Sequence, residues 1–398
     1  MPAASKRTLP SAADLGRAAL IVLAGLWAYW PALQGSFLWD DLAEIPQNAI
    51  LRDPGGLTRI WLGQAGPDYF PFKTSLQWIF WHAWGGNPLP YHLINLGLHL
   101  LAALLFFRLL RRLGVAFAEI GALLFAVHPL AVESVAWIAE LKNVLSEVFV
   151  VAAANAYLGF DLSSGVRARR CYGLALVRFA LALLSKSSVV MFPGAILLYA
   201  WWRRGRVRRE DLRASLPFFG LSLLLGLVTV HFQYHRALAQ WTIPLHGVGP
   251  HLLVASYAVC FYLWKSVAPF GLHLMYAPWD VSAPSAVQFL PLLVLVLLAA
   301  WLWSRRAAAW GRAAIFGLGF FLLNLLPVLG FLPMSYMHLG WVADHFAYLS
   351  LLGIAGLAAA AAGRLLPRNA AERKASSPRM IGQFCLILLV LIFVKTTR

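Results

Sequence analysis

Long apolar stretches broken by short polar ones run from one end of the chain to the other. Leu20 to Leu38 carries no charge, and similar runs lie at about 91–110, 115–135, 143–160, 215–232, 286–304, 313–333, 343–362 and 380–395. Each approaches the roughly 20 residues that an α-helix needs to cross a bilayer. With the first run at about 18–36, the pattern predicts a polytopic helical membrane protein rather than a soluble domain with an anchor. One run, Cys171 to Trp202, is about 32 residues long and has basic clusters at both ends. A single crossing cannot return both ends to the same side. The run therefore predicts a hairpin of two short helices turning near Ser185-Lys186-Ser187-Ser188.

Charge placement turns these runs into a topology. Basic residues cluster between them: Arg108, Arg111 and Arg112; Arg167, Arg169 and Arg170; Arg203 through Arg213; Arg305, Arg306 and Arg312; Arg364 through Arg379. By the positive-inside rule each cluster is cytoplasmic, and so is the N-terminus, where Lys6 and Arg7 precede an apolar run that reads as a retained signal anchor. Keeping Arg305 and Arg306 inside then makes 251–285 a re-entrant or interfacial segment on the outer side, with Tyr257, Tyr262, Trp264 and Lys265 at headgroup level. The expected fold is an all-α polytopic membrane protein, one transmembrane domain over 1–398 with about 11 crossings, or 12 if 251–269 crosses. Its longest outer loop is the first, about 36–90, where Thr74 to Trp84 predicts an interfacial helix or a purely anchoring aromatic belt.

Composition narrows the class. The chain is 61% hydrophobic and 12% charged, well outside the soluble range. Its net charge of +17 is dispersed among short loops, whereas nucleic-acid binding would need one contiguous basic face. The three cysteines, Cys171, Cys260 and Cys385, all lie in apolar stretches and define neither a disulfide framework nor a metal motif.

Polar chemistry is predicted to gather on the outer side. Trp39-Asp40-Asp41 places two carboxylates where the first apolar run ends, and an acid at a membrane surface stays ionised only with water, a cation or a donor at hand. Asp40 and Asp41 are thus candidate active-site residues, with a solvated loop start as the alternative. His92, Asn95 and His99 share one helix face, and His92 and His99 lie about 10 Å apart along it, too far to share one metal; they read as polar contacts between helices. If the chain is helical from Leu130, Glu133, Trp137 and Glu140 form one stripe that could face the cavity of Asp40. Lys142 and Lys186 are cations at outer helix ends, suited to a phosphate or else snorkelling to water. Asp344, His345 and Tyr348, at the outer end of a late helix, line the same cavity or form a buried structural group.

Taken in order, these motifs resemble the glycosyltransferase C superfamily and, within it, bacterial relatives of the transmembrane and tetratricopeptide-repeat O-mannosyltransferases. The matching passages are Phe37-Leu38-Trp39-Asp40-Asp41, Tyr69-Phe70-Pro71, Asn87-Pro88, Tyr91-His92-Leu93-Ile94-Asn95, His128-Pro129, Glu133-Ser134-Val135-Ala136-Trp137-Ile138, Lys142-Asn143, Leu184-Ser185-Lys186 and Val342-Ala343-Asp344-His345-Phe346-Ala347-Tyr348-Leu349. They extend over about 37–352. The tetratricopeptide repeats common in such proteins do not occur in this sequence, so their acceptor contacts are expected from elsewhere in the chain or from a partner. The resemblance implies transfer of a sugar from a polyprenyl-phosphate carrier to a protein hydroxyl or envelope glycan at the non-cytoplasmic face of a bacterial inner membrane. On that reading, Asp40 is the base, with Asp41 sharing its role or orienting a donor or a divalent cation. Lys142 and Lys186 hold the donor phosphate, and His128, Glu133, Asp344, His345 and Tyr348 shape the acceptor side. No other cofactor is implied. A lipid-linked sugar flippase would instead place ionisable groups deep in several helices, and a non-catalytic assembly protein would pair Asp40 and Asp41 with structural cations.

Overall fold

A computed structural model describes residues 11–239 and 241–365. The expected crossing at 380–395, the basic residues beyond Arg364, Lys6, Arg7 and Cys385 lie outside the described residues. Among the described residues every regular element is helical. The long helices are α1 (Ala12–Tyr29), α2 (Pro71–Trp84), α3 (Pro88–Arg112), α4 (Ala118–Ala126), α5 (Leu141–Asp161), α6 (Gly165–Ser185), α7 (Phe192–Arg204), α8 (Arg209–Phe232), α9 (Val248–Val267), α10 (Leu290–Ser304), α11 (Ala309–Leu325) and α12 (Leu351–Leu365). Local sequence explains several of their ends. Ser11 and Asp14 form a reciprocal capping box on α1. Asn87 caps α3 ahead of Pro88, and Gly205, at φ 74°, closes α7 in the left-handed conformation.

Among the described residues six helical stretches are long and apolar enough to cross a bilayer: Ala12–Gln34, Pro88–Arg112, Ile138–Asp161, Arg209–Ala237, Ala286–Ser304 and Ala309–Val328. A seventh is made by two short pieces, Ala118–Ala126 and Pro129–Ala136, bent by 52°. The chain is an integral membrane protein. Among the described residues the eleven crossings expected from charge are not matched helix for helix: α4 and α7 are too short to span alone, and α12 is described only as far as Leu365. Burial is unequal in the way a bilayer requires. α5 is the enclosed axis, with 72% of its most apolar window buried, against 6% for α10. α8 and α10 present Leu223, Leu224, Leu227, Val294 and Leu297 outward, as lipid-facing surfaces do.

α5 packs most extensively on α6 and then on α3, while α4 joins α1 and α12. Small residues allow the close approaches: a Cβ on Gly317 would lie 2.3 Å from the Leu357 side chain, and one on Gly353 2.4 Å from the Gly317 carbonyl.

Three expectations are corrected here. The third apolar run is not one helix, because it breaks at Val127 and His128 before Pro129, where proline cannot continue the α-helical ladder. The stripe of Glu133, Trp137 and Glu140 does not form, since Trp137 is extended (φ −81°, ψ 118°) between Val132–Ala136 and the turn Ile138–Glu140. Tyr262 is not at a surface: it is fully buried, and its hydroxyl donates to the Ala343 carbonyl while accepting from the Ala343 N–H. The 171–202 run does divide into two helices, α6 and α7, with Lys186 extended between them.

The bundle has two chemically distinct ends. Arg111 pairs with Asp14, Arg17 with Glu119, and Arg203 and Arg204 with Asp161, gathering the basic clusters at one end. Lys142 and Asp161, at opposite ends of α5, are separated by about 28 Å of helix rise. The Asp40 region joins the Lys142 end.

Candidate active site

The two acids that follow Trp39 sit in unlike surroundings. The Asp41 side chain is buried, and both its oxygens take backbone donors: Leu38 N–H at 2.9 Å and Ala139 N–H at 2.6 Å. Burial pushes its carboxyl up to about 6 against the pull of those two donors. Asp41 thus straps the turn at 38–41 to the segment that follows Trp137. Asp40 is exposed, and its carboxylate accepts no hydrogen bond from a described residue. Partial desolvation lifts it above the ordinary carboxylate range, opposed by Lys142 and reinforced by Glu44.

Around Asp40 the tertiary fold assembles a chain of ion pairs. Lys73, on α2, reaches Glu44, which also accepts from Gln77 at 3.4 Å. Lys142, in the first turn of α5, sits 2.9 Å from Glu140 and 3.9 Å from Glu44. Lys186, between α6 and α7, donates to Asn143 at 2.6 Å and lies 3.5 Å from Glu140. Asn143 in turn donates to Glu140 and to Ser134 Oγ at 3.1 Å. Burial pushes Glu44 up, yet Lys73 and Lys142 outweigh it and hold the carboxyl below its usual range. Three lysines (Lys73, Lys142, Lys186) share two carboxylates (Glu44, Glu140), and Asp40 and Asp68 lie within electrostatic reach of Lys142 and Lys73. Lys186 also lines a small cavity of about 20 Å³ with Asn143, Ser146, Glu147, His345 and Tyr348, room for about one water.

The remaining expected residues fall into separate contacts. Glu133 binds His345 twice, taking the ring Nδ1–H at 2.8 Å and the backbone N–H at 2.9 Å. Asp344 accepts from the Tyr276 hydroxyl at 2.9 Å. His128 is buried, with Nδ1 accepting from Leu130 N–H at 3.2 Å and Nε2 at 3.1 Å from the Ser266 carbonyl. Tyr348 donates to His99 Nδ1 at 2.7 Å, and His99 Nε2 meets the Ala126 carbonyl. His99 and Asn95, which donates to the Trp137 carbonyl at 3.1 Å, are the interhelical polar contacts their spacing predicts. Lys142, Lys186 and Asp40 therefore come together, whereas His128 and Asp344 face other partners.

Sequence reasoning missed Lys73, Glu44 and Asn143 as members of this cluster, whereas Glu140, expected to face the cavity of Asp40, joins it from the turn Ile138–Glu140. Glu44 carried a signal, standing four residues after Asp40 on one short helix face. Lys73 carried none, lying in a stretch dominated by tryptophans. Among the described residues no group of three or more His, Cys, Asp or Glu could hold a metal ion.

A membrane-embedded bundle with a lysine–carboxylate cluster at one end is the class these features define. No protein-family model matches the chain. The chain is similar to a protein O-mannosyl-transferase of Caenorhabditis elegans, with 27% identity over 151 residues that cover 34% of this chain and 22% of that protein. Human protein O-mannosyl-transferase TMTC1 is 31% identical over 170 residues (38% and 19% covered), and human TMTC3 24% over 246 residues (55% and 26% covered). The matched stretches thus span about a fifth to a quarter of these relatives' length. The kinship to O-mannosyltransferases that the motifs suggested holds in the sequence comparison. Among solved structures, the crystal structure of ArnT from Cupriavidus metallidurans bound to undecaprenyl phosphate is 15% identical, with a TM-score of 0.43 over 92% of this chain and 63% of that one.

Proposed function

We propose that the protein is a membrane glycosyltransferase that moves a sugar from a polyprenyl-phosphate-linked donor to a hydroxyl of a protein or envelope glycan, at the non-cytoplasmic face of a bacterial inner membrane. The observation that carries this reading is the exposed Asp40, which accepts no hydrogen bond from a described residue, beside three lysines that share Glu44 and Glu140. The kinship to O-mannosyltransferases supports it.

The reaction is a single inverting displacement. The acceptor oxygen attacks the anomeric carbon, the bond from that carbon to the phosphate oxygen breaks, and Asp40 takes the hydroxyl proton. A raised carboxyl is the better base for that task near neutral pH. Lys142 and Lys186, two ammoniums sharing Glu140, offer net positive charge to the phosphate as it departs. His345, held by Glu133, and Tyr348 stand beside Lys186 on the acceptor side, and His128 and Asp344 support that wall. Asp41 positions Asp40 rather than sharing its proton. A divalent cation at Asp40 would draw its other ligands from the donor phosphate, since no three protein ligands are grouped there.

The test is transfer by purified protein in lipid nanodiscs, using synthetic polyprenyl-phosphate hexoses, mannose first, and a serine/threonine peptide, each with and without EDTA. Sugar-bearing peptide that disappears with Asp40→Asn is the expected result. No transfer from any hexose donor, together with unchanged glycan masses on envelope proteins of cells lacking the gene, would overturn the proposal.

A further inference from the structure

Trp39 is the sole described non-glycine residue with a positive φ (47°, with ψ −114°). Asp41 N–H donates to the Leu38 carbonyl at 2.8 Å, closing a turn whose first central position is Trp39. Glycine normally holds that position in such backbone. An indole there carries strain on the order of 1–3 kcal/mol, kept in place only by surrounding contacts. Asp41 ties Leu38 N–H to Ala139 N–H, and Asn95 anchors the Trp137 carbonyl. Trp39 consequently stacks on Trp137, with ring centroids 6.0 Å apart and planes 21° apart. Trp39 itself stays 44% exposed. One indole face is fixed against the protein, and much of the ring is left open directly beside Asp40.

Resting on the glycosyl-transfer reading above, we propose that the open face of Trp39 is the subsite for the transferred hexose. A pyranose presents an apolar face of C–H groups that packs flat on an indole, while its hydroxyls stay free for polar partners. Trp39 and Asp40 are consecutive, so their Cα atoms lie about 3.8 Å apart. A ring stacked on Trp39 is therefore held next to the base, and such placement is what converts binding into rate. Simple burial of an aromatic would not require strained backbone or an exposed face. An anchor to lipid would need the exposure but not the paired indole and the Asp41 strap.

Trp39→Gly separates these cases, because glycine fits the strained backbone while removing the platform. Its thermal stability in nanodiscs should equal or exceed that of the unaltered protein. Its KM for polyprenyl-phosphate mannose should rise about tenfold, and Trp39→Phe should fall between. Binding of unglycosylated polyprenyl phosphate, followed by fluorescence, should be unchanged in both variants. Equal weakening for the two lipids would show that Trp39 meets the tail or the bilayer, and a rise confined to the peptide KM would assign it to the acceptor; either overturns the subsite. An unchanged donor KM in Trp39→Gly, beside normal transfer by the unaltered protein, removes the subsite and leaves the function standing. If the unaltered protein transfers no hexose, both fall together.

Discussion

The two ends of α5 carry ion-pair clusters built on opposite plans. At the Asp161 end, arginines close on acids: Asp161 meets Arg203 at 2.9 Å, Arg204 at 3.0 Å and the Tyr199 hydroxyl at 2.8 Å. Arg204 also reaches Asp211, which caps Arg208 N–H at 2.8 Å. Arg204 thus spreads its fork over two carboxylates, a reach that a lysine's single ammonium lacks. At the Lys142 end the cations are lysines, point charges that Glu44 and Glu140 share among three, and Asp40 is left exposed without a hydrogen bond from any described residue. One end staples α5 to α7 and α8; the other gathers three lysines around two shared carboxylates. On the proposed function, the acids tied to arginines serve architecture and the exposed acid beside the lysines serves the reaction.

The sharpest break of that contrast is Asp40→Asn, which keeps shape and removes the proton acceptor. Transfer should fall about 10²–10⁴-fold with unfolding temperature unchanged; normal transfer would move the base elsewhere. Next is Lys186→Met, which takes one ammonium from buried Glu140. Donor KM should rise, and stability should fall toward the roughly 3–5 kcal/mol of a broken buried pair, lessened because Lys142 remains. Adding Glu140→Gln should restore stability and not transfer. Recovery of both would make Lys186 a structural counter-ion.

At the other end, Arg204→Ala should lower stability by about 1–3 kcal/mol while activity per folded molecule holds. Lost activity in folded protein would erase the distinction between the ends. The smallest effect is on pH. Because burial raises Asp41 to about 6, the folded protein keeps a proton that the unfolded chain releases near pH 4. Stability should therefore decline as pH rises from about 4 to about 6 and level off above, a slope that Asp41→Asn abolishes. The acid limb of kcat/KM should lie above the usual aspartate range, following Asp40.

Much of this was legible in the chain. Apolar run length and basic clusters give the membrane class and a bundle with two unlike ends, since helix rise and desolvation act residue by residue. The Trp39-Asp40-Asp41 motif, Lys142 and Lys186 were visible as polar residues at helix ends, and the break at Lys186 was implied by a run too long for one crossing. The rest was not. The apolar pattern reads a crossing at 115–135 and a helical stripe from Leu130, whereas the folded chain takes a broken path that ties His128 to α9, Glu133 to His345 and Glu140 to the lysines. Nothing local separates Asp40 from Asp41. Which acid is buried depends on an amide 98 residues away. Nor does the sequence bring Lys73 to Glu44, 29 residues apart. Hydrophobicity and charge along the chain thus determined where the protein lies and which end is polar, because each residue's transfer free energy is its own. The tertiary structure alone decided which acid is free and which lysines surround it, because hydrogen bonds and ion pairs need partners that only folding brings within 3 Å.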